Sequence, residues 1–321
     1  MTKIAAAASP PGYHPLIEWM SNGYAADMAW MERRKDAYQH PDGVLPQTRS
    51  VVVVALNYHN AEPDDSTTRI ARYAWGTEDY HSVMRRNLKQ LSAIIHQERP
   101  QAKSRVVVDT APLLERDFAK LAGIGWIGKN TMLISRDIGS WFFIGAILTT
   151  ETLVYDEPFE TDFCGSCTKC LDACPTDAFP KPHVLDANRC ISYLTIERRD
   201  KPIPDDLRSG IGDWIFGCDV CQEVCPWNRF APNQSLREFH LHDELKNLNV
   251  IDLLQLTEET FQQKFAKTPL ERTGRDVIVR NAAIVAANHG KTQVIPYLQP
   301  LTHDTSDLVR EAAEWAIHQL T

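Results

Sequence analysis

The hydrophobic pattern changes character along the chain. Ser50-Val-Val-Val-Val-Ala-Leu56 is apolar without alternation, the mark of a strand buried on both faces. Arg105 to Asp109 reads the same way, Thr131 to Ser135 adds a shorter strand, and Trp141 to Thr150 a long buried one. Between these runs Val83, Leu88, Leu91, Ile94 and Ile95 recur at helical spacing from Asp79 to Glu98, and Pro100 stops the helix. Thr110 to Ala122 predicts another helix, with Pro112 tolerated in its first turn. Nearer the start, Ile17 to Lys35 predicts one or two short helices with Trp19, Met20, Met28 and Met31 facing inward, then a turn at Pro41-Asp42-Gly43. Residues 1–155 therefore read as an α+β domain built on a sheet.

From residue 156 the periodicity gives way to loops and cysteines. Cys164, Cys167, Cys170 and Cys174, followed by Pro175, keep the spacing C-x2-C-x2-C-x3-C-P, the bacterial ferredoxin run for an iron–sulfur cluster. Cys218, Cys221, Cys225 and Pro226 repeat its last three cysteines and the proline. The missing first ligand of this second run would fall at Ile215, and Cys190 is the cysteine left to complete it. The eight cysteines match the needs of two [4Fe-4S] clusters. In the crossed pattern of two-cluster ferredoxins, Cys164, Cys167 and Cys170 share one cluster with Cys225, while Cys218, Cys221 and Cys190 share the other with Cys174. The alternatives are a disulfide framework, structural zinc or plain buried thiols. Without a signal peptide the chain is expected in a reducing cytoplasm, which disfavours disulfides. Zinc accounts for CxxC pairs but not for the x3-C-P endings. Residues 156–230 thus form a cluster domain, with Cys190 to Arg199 read as a helix carrying one ligand and a basic end.

Residues 231–321 turn helical and polar. Asp276–Ala287 and Asp307–Ile317 both match D-x-x-V-R-x-A-A-x-x-A with one residue of slippage, and recurrence after about thirty residues predicts short HEAT-like hairpins. The whole chain carries a net charge of −8, which argues against indiscriminate polyanion binding. Yet Lys264, Lys267, Arg272, Arg275, Arg280 and Lys291 face only Glu271 and Asp276 in this stretch. That local excess reads either as a solvated helix face or as a surface for a phosphate backbone. No apolar run reaches the length of a bilayer span.

Two further features bear on chemistry. Asp109 ends a strand and precedes a helix, a position that suits a catalytic carboxylate in α/β folds and equally suits a helix cap. Gly123-Ile-Gly125-Trp-Ile-Gly128-Lys129-Asn130 is a literal GxGxxG, but a helix precedes it and a strand follows, the reverse of a dinucleotide fingerprint. A P-loop is excluded by its glycine spacing. Its glycines are expected to let the backbone approach something closely.

Taken together, the runs 106–130, 164–179, 190–195 and 217–228 and the C-terminal V-R-N-A-A repeat resemble the epoxyqueuosine reductase family over residues 15–321. The resemblance implies a cobalamin-dependent enzyme with two [4Fe-4S] clusters that reduces the epoxide of epoxyqueuosine, at the wobble position of tRNA with a GUN anticodon, to queuosine. It implies that Asp109 is the proton donor. It implies cobalamin contacts at Ala71, Asp109, Leu133, Ile144, Ser192, Phe216 and Gly217, and a tRNA contact at Arg198. Arg33 and Arg34 fall near a further family contact. Members usually carry another N-terminal helix before the strand that Lys3-Ile-Ala-Ala represents. The expected partners are tRNA and an external electron donor, with the chain monomeric and off the membrane.

Loss of an epoxide oxygen as water needs two electrons and two protons. Clusters pass single electrons, so a cobalt corrin is expected to do the bond chemistry. As acid, Asp109 is expected to have a raised pKa from burial against the corrin. A plain iron–sulfur electron-transfer protein would leave residues 1–155 unexplained. A cobalamin-dependent reductive dehalogenase would usually carry an export signal and would have no reason for a basic helical tail.

Overall fold

The computed structural model describes residues 1–60, 67–234 and 236–321. Among these the strands are β1 (Thr2–Ala6), β2 (Ser50–Asn57), β3 (Arg69–Ile70), β4 (Ser104–Val107), β5 (Trp126–Ile127), β6 (Leu133–Ile134), β7 (Phe142–Thr149) and β8 (Trp214–Phe216). The main sheet runs β1-β2-β7-β4, every pair antiparallel. β2 and β7 pair along their whole length, with Ser50 opposite Thr149 and Asn57 opposite Phe142.

These central strands lack a polar face because helices cover both sides. The Tyr80–Glu98 helix lays Val83, Met84 and Leu88 on Val52, Phe143 and Ile147. The Glu115–Leu121 helix lays Phe118 and Ala119 on Val51, Val53, Ala146 and Leu148. An all-antiparallel sheet with a helix on each face makes this half α+β. The second helix begins at Glu115 rather than Thr110. Pro112 biases Ala111 away from helical dihedrals and supplies no N–H, so the turn cannot propagate back through it. The stretch expected to be helical between Ile17 and Lys35 forms helices at Tyr13–Ser21 and Ala29–Glu32, neither with a fully buried residue.

The helical C-terminal part shares one hydrophobic core with the segments around the cysteines. Ala71, Trp75, Ile191, Leu194, Trp214 and Phe216 pack together with Phe261, Ile278, Ala282, Val309 and Ala313. The Arg275–Asn288 and Asp307–Leu320 helices lie against each other, with Ala282, Ala283, Ala286, Ala312, Ala313 and Ala316 buried. Their small side chains let the two backbones approach.

A buried polar pair fixes this helix to the cluster segment. Asn281 Nδ2 donates to Thr195 O at 2.9 Å and to Ile215 O at 2.8 Å. Its Oδ1 accepts from Arg280 Nε and Nη2 at 3.0 and 2.8 Å. Arg280 also donates to the carbonyls of Leu194 and Arg198. Removing one member strands buried carbonyls without partners, at roughly 1–3 kcal/mol each. Asn281→Ala is therefore expected to speed amide hydrogen exchange within residues 275–288 by about 30- to 150-fold, the equivalent of about 2–3 kcal/mol. Hydrogen-exchange mass spectrometry of the substituted and parent chains checks this.

Candidate active site and cluster loops

Asp109 lies just past the end of β4, with a φ of +59° and a side chain 66% exposed. It caps no helix: the nearest one has Leu114 as its N-cap and no side-chain cap bond. Its Oδ2 instead accepts from Tyr80 Oη at 3.1 Å and faces His81 Nε2 at 3.2 Å. The His81 side chain is 4% exposed, and its other nitrogen, Nδ1, is 2.8 Å from Asp79 Oδ1. Asp79 caps the Tyr80–Glu98 helix through the His81 N–H, so one carboxylate both starts the helix and orients the ring. Arg272, from the C-terminal part, donates to Asp79 Oδ2 at 2.7 Å and stands 2.7 Å from His81 Nδ1. From the other side Arg34 Nη1 donates to Thr110 O at 3.0 Å and Arg85 Nη2 to Thr110 Oγ1 at 3.3 Å, holding the loop that carries Asp109.

The charges in this chain sit opposite to the sequence expectation. Asp109 is held below the usual carboxylate range, chiefly by the hydrogen bond from His81, whose pull outweighs burial. Burial alone would lower the His81 pKa, but its bonds to Asp109 and Asp79 raise it above the ordinary value despite Arg272. The shared hydrogen bond thus holds Asp109 down and His81 up, so the two titrate as a coupled pair. A second carboxyl differs. Glu115 is pushed up to about 8, mainly by burial, with the charge of Asp109 adding to it.

The expected cofactor contacts fall into two groups. Ala71 N donates to Phe216 O at 2.8 Å, and Gly217, with a φ of +69°, lies so near that an added Cβ would come 2.6 Å from Ala71 Cβ. Ser192 shares a helix with Thr195, whose Oγ1 accepts from Gly217 N at 3.0 Å. Leu133 and Ile144 sit on the sheet side, Leu133 inside the core and Ile144 packed against it. Aromatic rings join the groups: Phe216 meets Tyr73, Tyr73 meets Tyr80, and Tyr80 stacks on Phe143 beside Ile144. Ala71, Leu133 and Phe216 have buried side chains, 0%, 2% and 1% exposed.

The thiols sort into two sets by their mutual influence. Burial raises Cys170, and Cys225, Cys164 and Cys167 raise it further. Cys225 likewise feels Cys164 and Cys167 beyond its burial. Buried Cys190 feels Cys174, buried Cys218 feels Cys221 and Cys190, and buried Cys221 feels Cys190 and Cys174. Cys221 also feels Cys170, so the sets adjoin. Among the described residues no three His, Cys, Asp or Glu side chains converge as a single metal ion would require. The second run is tied to the Ala71 segment: Asp219 Oδ2 accepts from Arg72 N at 2.7 Å, and Glu223 pairs with Arg69 and Arg72 at 2.5 and 3.2 Å.

Of the six cations in the basic stretch of the tail, Lys264 pairs with Glu244, Arg272 with Asp79, Arg275 with Asp304 and Asp276, and Arg280 is fully buried, while Lys267, Arg272 and Lys291 are exposed. Burial pulls Arg280 down to about 9, and the charges of Arg198 and Arg208 add to that. Arg198 donates to Pro202 O at 2.6 Å and pairs with Asp27 at 3.5 Å, its side chain 16% exposed.

Residues 39–110 match the family model described as epoxyqueuosine reductase QueG, and residues 163–228 match a 4Fe-4S double cluster binding domain. An epoxyqueuosine reductase of Xanthomonas campestris pv. campestris is 41% identical over 313 residues, covering 95% of this chain and 87% of its own. The chain belongs to the epoxyqueuosine reductase family. Another epoxyqueuosine reductase, from Synechocystis sp., is 44% identical over 271 residues, 83% of this chain and 92% of its own. Two solved epoxyqueuosine reductases superpose on the whole chain and 86% of theirs. One, with a tRNA-Tyr epoxyqueuosine-modified stem loop, has a TM-score of 0.92 at 32% identity. The other, from Bacillus subtilis with its catalytic loop swung out of the active site, has a TM-score of 0.89 at 31% identity.

Within this epoxyqueuosine reductase fold, the residues that sequence reasoning missed are Asp79, Tyr80, His81 and Arg272. A signal existed in the adjacent Asp79-Tyr80-His81 at a helix start, where an N-cap acid lies beside a histidine. Arg272, 191 positions from His81, left none.

The proton on His81 can be followed directly. Its raised pKa means that its contribution to stability is complete below about pH 6.5, the unfolded value, and is lost as pH rises through the folded one. NMR titration of the ring is expected to show a pKa above the ordinary value, and Asp109→Asn, by removing the hydrogen-bonded charge, should lower it.

Proposed function

We propose that the chain reduces epoxyqueuosine to queuosine at the wobble position of tRNA with a GUN anticodon, drawing electrons from an external donor through two [4Fe-4S] clusters to cobalamin. The observation that carries this reading is the hydrogen-bonded chain Asp109–His81–Asp79 at an accessible carboxylate, joined by the rings of Tyr80, Tyr73 and Phe216 to the segment that bears Cys218. Cys164, Cys167, Cys170 and Cys225 hold one cluster; Cys174, Cys190, Cys218 and Cys221 hold the other, in accord with the two sets of thiols. Buried thiols that resist ionisation release their protons to solvent when iron binds their sulfurs, so cluster assembly is also folding energy.

A cavity of about 430 Å³ is lined by Ile17, Met20, Ala26, Met28 and Ala29, with Glu32 and Lys35, and by none of the expected corrin contacts. The segment that lines it also sends Arg34 to Thr110, next to Asp109, and Asp27 to Tyr193 on the Cys190 helix. Ala71, Leu133, Ile144, Ser192, Phe216 and Gly217 would hold the cofactor, the buried ones through backbone and packing. Bound there, a cobalt corrin supplies the low-valent centre for carbon–oxygen cleavage that clusters passing single electrons do not perform.

The protein's own part is proton delivery. The imidazolium of His81, oriented by Asp79, donates through Asp109 Oδ2 to the departing oxygen, and Tyr80 fixes the carboxylate. Arg198 and the HEAT-like C-terminal helices contact the tRNA, but through exposed positions rather than through the buried Arg280.

Incubation of the loaded enzyme with cobalamin, a reductant and epoxyqueuosine-bearing tRNA, followed by mass spectrometry of the tRNA, tests this. Conversion to queuosine is expected. Asn at position 109 keeps the side chain's shape and loses its proton shuttle, so Asp109→Asn should lower kcat by about 10²- to 10⁴-fold while tRNA binding persists. Full turnover by that variant with cobalamin bound would overturn the role of Asp109. Activity of the parent enzyme is expected to fade as pH rises through the raised His81 pKa, and His81→Gln to abolish that limb of the pH–rate profile.

A further inference from the structure

The Gly-rich hairpin at 123–130 takes no part in the chemistry above, yet its polar side chains all turn to the cysteine loops. Trp126 Nε1 donates to Cys164 Sγ at 3.5 Å. Lys129 Nζ donates to Gly165 O at 2.7 Å and to Cys167 O at 3.0 Å. Asn130 Nδ2 donates to Cys221 O at 3.3 Å, so the hairpin bridges both runs. Its tightness makes this reach possible: a Cβ on Gly125 would stand 1.9 Å from Ile134 O, and one on Gly123 2.4 Å from Glu157 O. His183 braces the turn, its N–H donating to Lys129 O at 2.9 Å and its ring meeting Gly128 O at 3.0 Å. Trp126 is 1% exposed and lies among Phe159, Phe163 and Trp227.

We infer that Lys129 and Trp126 are positioning residues that set the reduction potential of the cluster held by Cys164, Cys167, Cys170 and Cys225, favouring its reduced form. This cluster is the outer one, since Gly165, Ser166, Thr168 and Lys169 of its loop are exposed. Taking one electron from the external donor adds one negative charge. An ammonium clamped on the ligand loop and an N–H aimed at a ligand sulfur both stabilise that charge more than the oxidised state. The aromatic wall keeps water away and so preserves the effect. Beside the second run Asp219 and Glu223 lie against Arg69 and Arg72, and the hairpin gives it only the neutral amide of Asn130, whereas on the first loop, where Asp162 accepts the Cys164 N–H, the hairpin adds an ammonium. The difference makes the outer cluster the acceptor for the donor.

The inference rests on the ligand sets proposed above, and the test separates the two. Redox titration followed by EPR, on protein whose iron content matches two clusters, reads each midpoint without substrate or cobalamin. In Lys129→Met one midpoint is expected to become more negative by at least tenfold in the reduction equilibrium, about 59 mV for one electron, while the other stays. Trp126→Phe should move the same midpoint in the same direction, and Lys129→Arg should restore it. Fully loaded Lys129→Met and Trp126→Phe with both midpoints at the parent values would overturn the inference. If Lys129→Met fails to load, Trp126→Phe decides alone. Loss of the cluster signals from the parent chain would instead sink the ligand assignment.

Discussion

Burial pushes the thiols of Cys170, Cys190, Cys218, Cys221 and Cys225 away from ionising, yet a cluster takes its cysteines as thiolates, and the second half of this protein is arranged around that demand. The cluster segment has little regular structure to hold them: its helices at Lys169–Asp172, Ile191–Ile196 and Val220–Glu223 are one or two turns long. Rigidity is borrowed from neighbours. The Gly-rich hairpin bonds the carbonyls of the first loop, Asn228 and Ser140 tie Gln222 to the sheet half, and Asp219 takes the N–H of Arg72. Each of these bonds spends a backbone or buried polar group that would otherwise lack a partner.

The C-terminal helices extend this scheme. Arg280 and Asn281 satisfy carbonyls on the helix that begins after Cys190 and on β8, which leads to Cys218. Arg272 reaches further, to Asp79 and His81. The same part of the chain therefore steadies the helix that follows Cys190 and reaches the pair Asp79 and His81. A charge count along the sequence treats both arginines as free surface charge; the fold buries Arg280 as an internal fastening and ties exposed Arg272 to Asp79.

What could be read from the sequence divides along physical lines. The buried strands and the long helix depend on local period and spacing, and β2, β7 and the Tyr80–Glu98 helix stand within a residue or two of their expected ends. The helix after Asp109 was overextended because Pro112 acts on the residue before it, which a composition-weighted reading overlooks. The tight approach at the GxGxxG was foreseen from its failed context, but not its target. The pairing of Asp109 with His81 was not legible, because the partner lies 28 positions away and no local pattern joins the two.

The backbone of Asp109 carries one more consequence. A left-handed residue that is not glycine costs roughly 1–2 kcal/mol, and Asp and Asn bear that conformation better than other side chains because they bond locally. The position therefore selects among acids by conformation. Glutamate, the nearest chemical equivalent, would strain this backbone, so an aspartate here is a requirement of the chain's path.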